Sequence, residues 1–171
     1  RSRAKSSERE KMFPIYVVIV DSDPRFLEIA TRFLQKRKGV LIYSAVSTSN
    51  EILIQANVFE PDVVLYNLDE SDPHSLDTIK KLRNQFPEMT IIVVSSPENE
   101  KFKKTVLDAG ATDFILRYAM NLEFLPAIWS LISMYQHRYG KSGVGTIPGR
   151  KNPLHTIPHS PKVYGLQRMY H

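Results

Sequence analysis

The sequence predicts one doubly wound α/β domain, with a five-stranded parallel sheet and helices on both of its faces. Five short runs of apolar, largely β-branched residues recur along the chain, and an amphipathic segment with helical spacing follows each run. The runs are apolar throughout, as strands buried on both faces of a sheet are. With 171 residues and 42% hydrophobic content, the chain is long enough for one such domain with additional segments at its ends.

The first β-α unit begins with six consecutive apolar residues, 15–20, which predict a strand in the middle of the sheet. Asp23 and Pro24 then open a helix that we expect to extend to about residue 38. Gly39 follows as its C-terminal stop. The apolar side chains of this segment recur at helical spacing: Phe26, Ile29, Ala30, Phe33 and Leu34.

The second and third units follow the same pattern. Residues 40–46 predict a strand, and residues 51–59 predict a helix with Ser49 or Asn50 as its N-cap and Pro61 after its end. Residues 62–67 and 75–86 predict the third strand and the third helix.

The last two units complete the alternation. Residues 90–95 predict the fourth strand, and residues 98–109 a basic helix that Gly110 ends. A short strand over residues 113–117 and a long helix over residues 122–138 follow. This strict alternation favours a flavodoxin-like sheet of strand order 2-1-3-4-5, with another α/β fold of the same size as the alternative.

The ends of the chain differ in composition from the body. We expect a basic extension over residues 1–12, a folded domain over 13–139 and a basic tail rich in Pro and Gly over 140–171. The tail carries five basic residues and no acidic one, and it lacks apolar periodicity. It is expected to be disordered or bound to a partner.

Composition excludes several classes of protein. The chain has no cysteine, so it can build neither a disulfide framework nor a thiolate zinc site. It has no apolar run of membrane-spanning length and no segment of signal-peptide type, so we expect no membrane association and a cytoplasmic location. The net charge of +5 resides at the two ends, so the mildly acidic body is not expected to bind nucleic acid.

Four segments at the ends of predicted strands resemble the receiver domains of two-component response regulators, typified by the chemotaxis regulators. They are residues 19–24 (IVDSDP), 61–68 (PDVVLYNL), 91–96 (IIVVSS) and 109–117 (AGATDFILR). The resemblance covers about residues 14–138 and implies a flavodoxin-like fold with a phosphorylation site at the carboxyl ends of the strands.

The acidic part of that site departs from the family pattern. Asn67 stands where the resemblance places the phospho-acceptor aspartate, and an amide is not a competent nucleophile for phosphoryl transfer. Ser22 stands where the second acidic residue of the first loop would bind Mg²⁺. Asp21 and Asp23 remain, so we expect no tight metal site and at most weak Mg²⁺ binding at these two residues.

The other half of the implied site also differs. Ser95 and Phe114 take the places of the hydroxyl and aromatic switch residues, although each is also an ordinary structural residue there. Arg117 replaces the family's lysine, and because its planar guanidinium prefers bidentate oxygen partners, Asp21 is a candidate partner for it. Tyr118 replaces a proline that usually follows a cis peptide bond, so we expect a trans bond.

These departures predict a protein-binding module without a catalytic residue or a cofactor. The resemblance implies that a protein partner or a second copy binds the face formed by the fourth helix, the fifth strand and the fifth helix. One alternative is a phosphorylated receiver with an unusual acceptor. Others are nucleic-acid binding by the tail, or the atypical receiver part of a longer transcription regulator or pilus-assembly ATPase. The interface candidates are Lys101, Lys104, Phe114, Tyr118 and Trp129.

Overall fold

The sheet seen in a computed structural model has the predicted architecture. The structure describes residues 15–37, 39–69 and 72–139, so the predicted segments 1–12 and 140–171 lie outside the described residues. All four strand pairs are parallel, and the strand order β2-β1-β3-β4-β5 confirms the predicted flavodoxin-like order. The strands are β1 (Ile15–Val20), β2 (Val40–Val46), β3 (Val63–Asn67), β4 (Thr90–Ser95) and β5 (Asp113–Leu116).

Five helices cover the two faces of this sheet. They are α1 (Pro24–Gln35), α2 (Ser49–Phe59), α3 (Ser75–Gln85), α4 (Lys103–Asp108) and α5 (Met120–Tyr139). Because successive strand side chains point to opposite faces, β1 contributes Val17 to one core cluster and Val18 to the other. The first cluster includes residues of α1 and α5, and the second includes residues of α2, α3 and α4. Within the described ranges, no helix is both long enough and apolar enough to cross a membrane.

The start of α2 differs slightly from the prediction. Thr48 is its N-cap, and the Thr48 side chain accepts a hydrogen bond from the backbone of Glu51 while the Glu51 side chain accepts one from the backbone of Thr48. This reciprocal capping box places Ser49 and Asn50 inside the helix instead of at its cap.

The fourth helix is shorter than predicted. Residues 97–102 form a 3-10 segment, and only Lys103–Asp108 is α-helical. Ser96 provides no side-chain cap, and the backbone N–H of Asn99 bonds to the Ser96 carbonyl three residues earlier, which is the 3-10 pattern. At the other end of β5, a 3-10 turn over Arg117–Ala119 leads directly into α5.

Arg83 connects α3 to the loops that enter β4 and β5. Its guanidinium donates to the carbonyl oxygens of Pro87 (2.7 Å), Met89 (2.8 Å) and Gly110 (2.8 Å), and to the hydroxyl of Thr112 (3.0 Å). Gly110 has a φ of +117°, a conformation that residues with a Cβ rarely adopt. The glycine thus allows both the turn and the close approach of the arginine.

Candidate functional site

The sheet order brings the predicted site residues to one edge. Asp21 follows β1, Asn67 ends β3, Ser95 ends β4 and Arg117 follows β5. Asn67 is in register with Val94, so β3 and β4 end side by side. Because the strands are parallel, all four side chains arise at the carboxyl edge of the sheet, where doubly wound folds carry their sites.

An ion pair joins the two ends of this edge. Arg117 Nη2 donates to Asp21 Oδ2 at 2.9 Å, and the expected pair is therefore present. The Asp21 side chain is 0% exposed, while that of Arg117 is 36% exposed. Asp21 Oδ1 accepts a hydrogen bond from the Asp23 backbone at 2.8 Å. The Arg117 guanidinium also lies 4.3 Å from the ring centroid of Phe26 in α1, a cation–π distance.

Burial dominates the electrostatics of Asp21. Loss of hydration raises the pKa of its carboxyl group above 3.8, and the nearby charges of Asp23 and Asp69 raise it further. The backbone hydrogen bond from Asp23 and the charge of Arg117 lower the pKa, but they do not cancel the effect of burial. Arg117 is therefore the cation that favours an ionised Asp21.

Two polar atoms at this edge lack hydrogen-bond partners among the described residues. Both Ser95 Oγ and Arg117 Nε are buried. Ser95 itself is completely buried at the end of β4. Its hydroxyl stays available for a hydrogen bond, while its role as a switch residue stays a prediction.

The donor set does not fit Mg²⁺, which prefers several anionic or carbonyl oxygens in octahedral geometry. The Asp21 side chain is completely buried, and its charge is already compensated by the guanidinium of Arg117 at Oδ2. Ser22 is neutral and exposed, and Asp23 caps α1 by accepting from the backbone of Arg25. In the part of the chain that the structure describes, no three His, Cys, Asp or Glu residues cluster at metal-binding distance.

A buried hydroxyl chain next to the edge was not anticipated from the sequence. Ser49 Oγ lies 2.7 Å from the hydroxyl of Tyr66, and it donates to Asp72 Oδ2. Asp72 Oδ1 accepts from the backbone of His74 at 2.9 Å. The hydrogen bond from Ser49 lowers the pKa of Asp72, whereas burial raises the pKa of Tyr66. A tyrosine within an apolar strand was the one available signal, because a buried hydroxyl needs a partner.

A small cavity lies between the loop after β3 and the α4 region. Its volume is about 190 Å³. Apolar side chains form most of its wall, and two carboxylates and a hydroxyl complete it. The lining residues are Leu68, Asp69, Asp72, Pro73, Ser75, Leu76, Phe102 and Val106.

Four of the five interface candidates lie on the surface. Tyr118 is 72% exposed and Trp129 is 46% exposed, while Phe124 and Ile128 of the same helix are buried, as the helical spacing predicts. Lys101 lies 5.0 Å from the ring centroid of Phe102, and Lys104 forms an exposed ion pair with Asp108 at 2.9 Å.

Phe114 requires a correction as an interface candidate. It is 5% exposed and packs in the core cluster beneath α2, α3 and α4. Because the ring is covered by these helices, it cannot contribute to an exposed surface. We therefore remove Phe114 from the interface candidates.

The sequence profile of the response regulator receiver domain matches residues 17–125, which include all four strand-end residues of this edge. This chain belongs to the response regulator receiver domain family. The receiver domain is similar to the probable C4-dicarboxylate response regulator DctR of Halalkalibacterium halodurans, with 27% identity over 60% of this chain and 45% of that protein. It is also 27% identical to the response regulator GacA of Pseudomonas viridiflava, over 67% of this chain and 53% of that protein.

The solved structures agree on the fold of the receiver domain. The signal receiver domain of the putative response regulator NarL from Mycobacterium tuberculosis superimposes with a TM-score of 0.63 at 19% identity, over 71% of this chain and 98% of that one. The chain spans about half the length of the curated relatives that it matches. These relatives are named as response regulators, which are signalling proteins.

Proposed function

We propose that this receiver domain signals without phosphorylation, by binding a protein partner or a second copy of itself through the face formed by α4, β5 and α5. The observation that carries this proposal is the ion pair between Arg117 and Asp21. The guanidinium of Arg117 already supplies a positive charge next to Asp21 Oδ2. The protein would then act as a binding module and not as an enzyme, and it would need no cofactor.

The chemistry of Asn67 supports the loss of phosphorylation. Formation of an acyl phosphate requires a carboxylate nucleophile, and the neutral amide of Asn67 ends β3 at the expected position. Asp72 is a poor replacement, because its two oxygens accept from Ser49 and from the backbone of His74. These bonds hold the Asp72 carboxylate against α2 and the start of α3.

The ion pair also explains how the binding face can be fixed without a phosphoryl group. Arg117 immediately follows β5, and α5 begins only three residues later. Its contacts with Asp21 and Phe26 tie this connection to the end of β1 and to α1. We expect a receiver held in this way to keep Tyr118 and Trp129 in one arrangement.

For the domain organisation we propose a receiver unit over residues 13–139, with basic segments 1–12 and 140–171 as additional parts. The chain matches about half of each curated relative, which agrees with a receiver joined to a further domain in a longer regulator. The mildly acidic body argues against nucleic-acid binding by the receiver itself. Phosphorylation at an unusual acceptor is the competing function.

An amide NMR titration tests the proposal. The full chain is titrated with Mg²⁺ and then with Mg²⁺ plus beryllofluoride, a mimic of an acyl phosphate. We expect the resonances of Asp21, Asn67, Ser95 and Arg117 to stay unchanged. Saturable shifts of these four resonances would show that the site still accepts the mimic and would overturn the proposal.

A restored variant provides the positive control. The triple substitution S22D/N67D/R117K supplies two carboxylates and removes the guanidinium that pairs with Asp21. We expect this variant to shift and saturate with Mg²⁺ plus beryllofluoride under the same conditions. N67D alone tests the nucleophile separately, and we expect it to respond weakly because Arg117 still pairs with Asp21.

A further inference from the structure

The cavity between the loop after β3 and the α4 region has the size and chemistry of a site for one side chain. Its volume of about 190 Å³ is smaller than the roughly 300–1,000 Å³ of pockets for small-molecule ligands. Leu68, Leu76, Phe102 and Val106 form an apolar wall. Because Asp69 and Asp72 also line the cavity, a suitable occupant combines an apolar group with a nearby cation.

The carboxylate of Asp72 is both fixed and ionised. Ser49 and the backbone of His74 each donate to one of its oxygens, and the bond from Ser49 lowers the pKa of Asp72. A carboxylate has about four lone-pair sites, so two hydrogen bonds leave capacity for a cation. The hydroxyl of Tyr66 supports Ser49 from within the core, so little freedom is lost when a ligand binds.

The sequence outside the described residues contains a segment of complementary chemistry. Residues 140–171 carry five basic residues and no acid, and they include two triplets in which a basic residue precedes a tyrosine by two positions. In an extended chain the side chains of residues i and i+2 point to the same side. A triplet that binds in an extended conformation would therefore present a ring and a cation to the same surface. The triplets are Lys162-Val163-Tyr164 and Arg168-Met169-Tyr170.

We propose that the segment 162–170 of this chain docks in the cavity, with a tyrosine ring against the apolar wall and the preceding cation beside Asp69 and Asp72. The length of the chain permits this contact. Tyr164 lies 25 positions after Tyr139, the end of α5, and at a maximum of roughly 3.3–3.6 Å per residue this length can reach several times the radius of gyration of about 14 Å for a domain of this size.

This contact goes beyond the proposed function and does not depend on it. Phe102 and Val106 belong to the α4 region, so a docked tail would lie beside the face that we propose for partner binding. A partner of that face would then compete with the tail. The docking itself does not require that phosphorylation is absent, whereas the competition rests on the proposed binding face.

Paramagnetic relaxation enhancement in the full chain tests the proposal. The chain has no cysteine, so Gly165→Cys creates a single labelling site next to Tyr164 for a nitroxide. We expect selective broadening of the amide signals of Leu76, Phe102 and Val106. The amides of Leu27 and Ala30, in α1 on the opposite face of the sheet, should keep their intensity.

Two tail variants separate specific docking from general attraction. Y164A/Y170A in the labelled chain should abolish the selective broadening, whereas Y164F/Y170F, which keeps both rings, should retain most of it. Uniform broadening, or broadening that survives Y164A/Y170A, would overturn the proposal. In a further control, the chain that carries the nitroxide and the isotope label is diluted with chain that carries neither. Loss of the selective broadening on dilution would indicate docking between copies and would also overturn the proposal. The outcome of these tail experiments is independent of the outcome of the beryllofluoride titration.

Discussion

Arg117 Nη2 lies 2.9 Å from Asp21 Oδ2, although the two residues are 96 positions apart and follow strands that are not neighbours in the sheet. In the sheet order β2-β1-β3-β4-β5, β3 and β4 lie between the strand that precedes Asp21 and the strand that precedes Arg117. The pair therefore spans the edge at which Asn67 and Ser95 end their strands. Asp21 and Arg117, the two residues of the site that lie farthest apart along the sheet, are therefore in direct contact.

Replacing Arg117 with Met should destabilise the domain, because the buried carboxylate of Asp21 loses its cation. Loss of one partner from a fully buried pair costs about 3–5 kcal/mol, and we expect about 1–3 kcal/mol here since Arg117 is one-third exposed. Urea unfolding of R117M, D21N and R117M/D21N measures this as a double-mutant cycle. Strictly additive effects would show that the two residues do not interact.

The pKa of Asp21 gives a pH dependence of defined sign. Because the folded-state pKa is raised above 3.8, the contribution of Asp21 to stability is fully present below that value and declines as pH rises through the folded pKa. Arg117 lowers this pKa, so R117M should move the decline to higher pH. A carbon-detected NMR titration of the Asp21 carboxyl group measures both midpoints, and equal midpoints would contradict the role of Arg117.

Ser49→Ala should lower the stability of the domain by loosening the loop after β3. The substitution removes the donor to Asp72 and the Ser49 contact of the Tyr66 hydroxyl, at a cost of about 0.5–1.5 kcal/mol for each hydrogen bond lost. The lowered pKa of Asp72 contributes stability above 3.8 that is lost as pH falls through the folded pKa. The loss of stability caused by S49A should therefore be smaller below that pH. An effect independent of pH would mean that only the tyrosine contact matters.

Much of the fold followed from periodicity, since every predicted strand and helix is present. The details that differ depend on local hydrogen bonds. Thr48 became the cap of α2 because Glu51 completes a capping box, and the chain after Ser96 winds as a 3-10 segment. Phe114 was an interface candidate only through the family resemblance, and one short strand gives too few positions to show from the sequence which face its ring lies on.

Only the part of the site that depends on the order of the strands could be predicted from the sequence. The parallel order of strands brings Asp21 to the same edge as Arg117, so the pair followed from topology and charge. The contact among Ser49, Tyr66 and Asp72 did not, because three separate elements contribute to it and no spacing in the sequence links them. The cavity is a property of packing and likewise has no sequence signature.

Trp129→Ala should weaken association if α5 forms part of the binding face. An exposed aromatic residue is a frequent anchor of interfaces, and its truncation costs 1 kcal/mol or more, which corresponds to about fivefold or more in Kd. Sedimentation over a range of concentrations measures self-association. Ile54→Ala is the control, because Ile54 is also a large exposed apolar residue, 61% exposed against 46% for Trp129, but lies on α2. Equal effects of both substitutions would argue against the α5 surface.

Gly110→Ala should destabilise the domain by about 1–3 kcal/mol. The φ of +117° is unfavourable for alanine, and an added Cβ would lie 2.8 Å from the Cβ and Cγ of Arg83. Thermal and urea unfolding measure the loss. An unchanged unfolding midpoint would show that both the turn and the arginine relax without cost.

The bonds of Arg83 have a consequence for how the domain opens. One side chain connects α3 with the carbonyls before β4 and with the turn before β5. Opening of either loop takes hydrogen-bond acceptors from the same guanidinium, so the two openings are coupled. The β4–β5 side of the sheet should therefore behave as one cooperative unit in native-state hydrogen exchange, whose amides become accessible together.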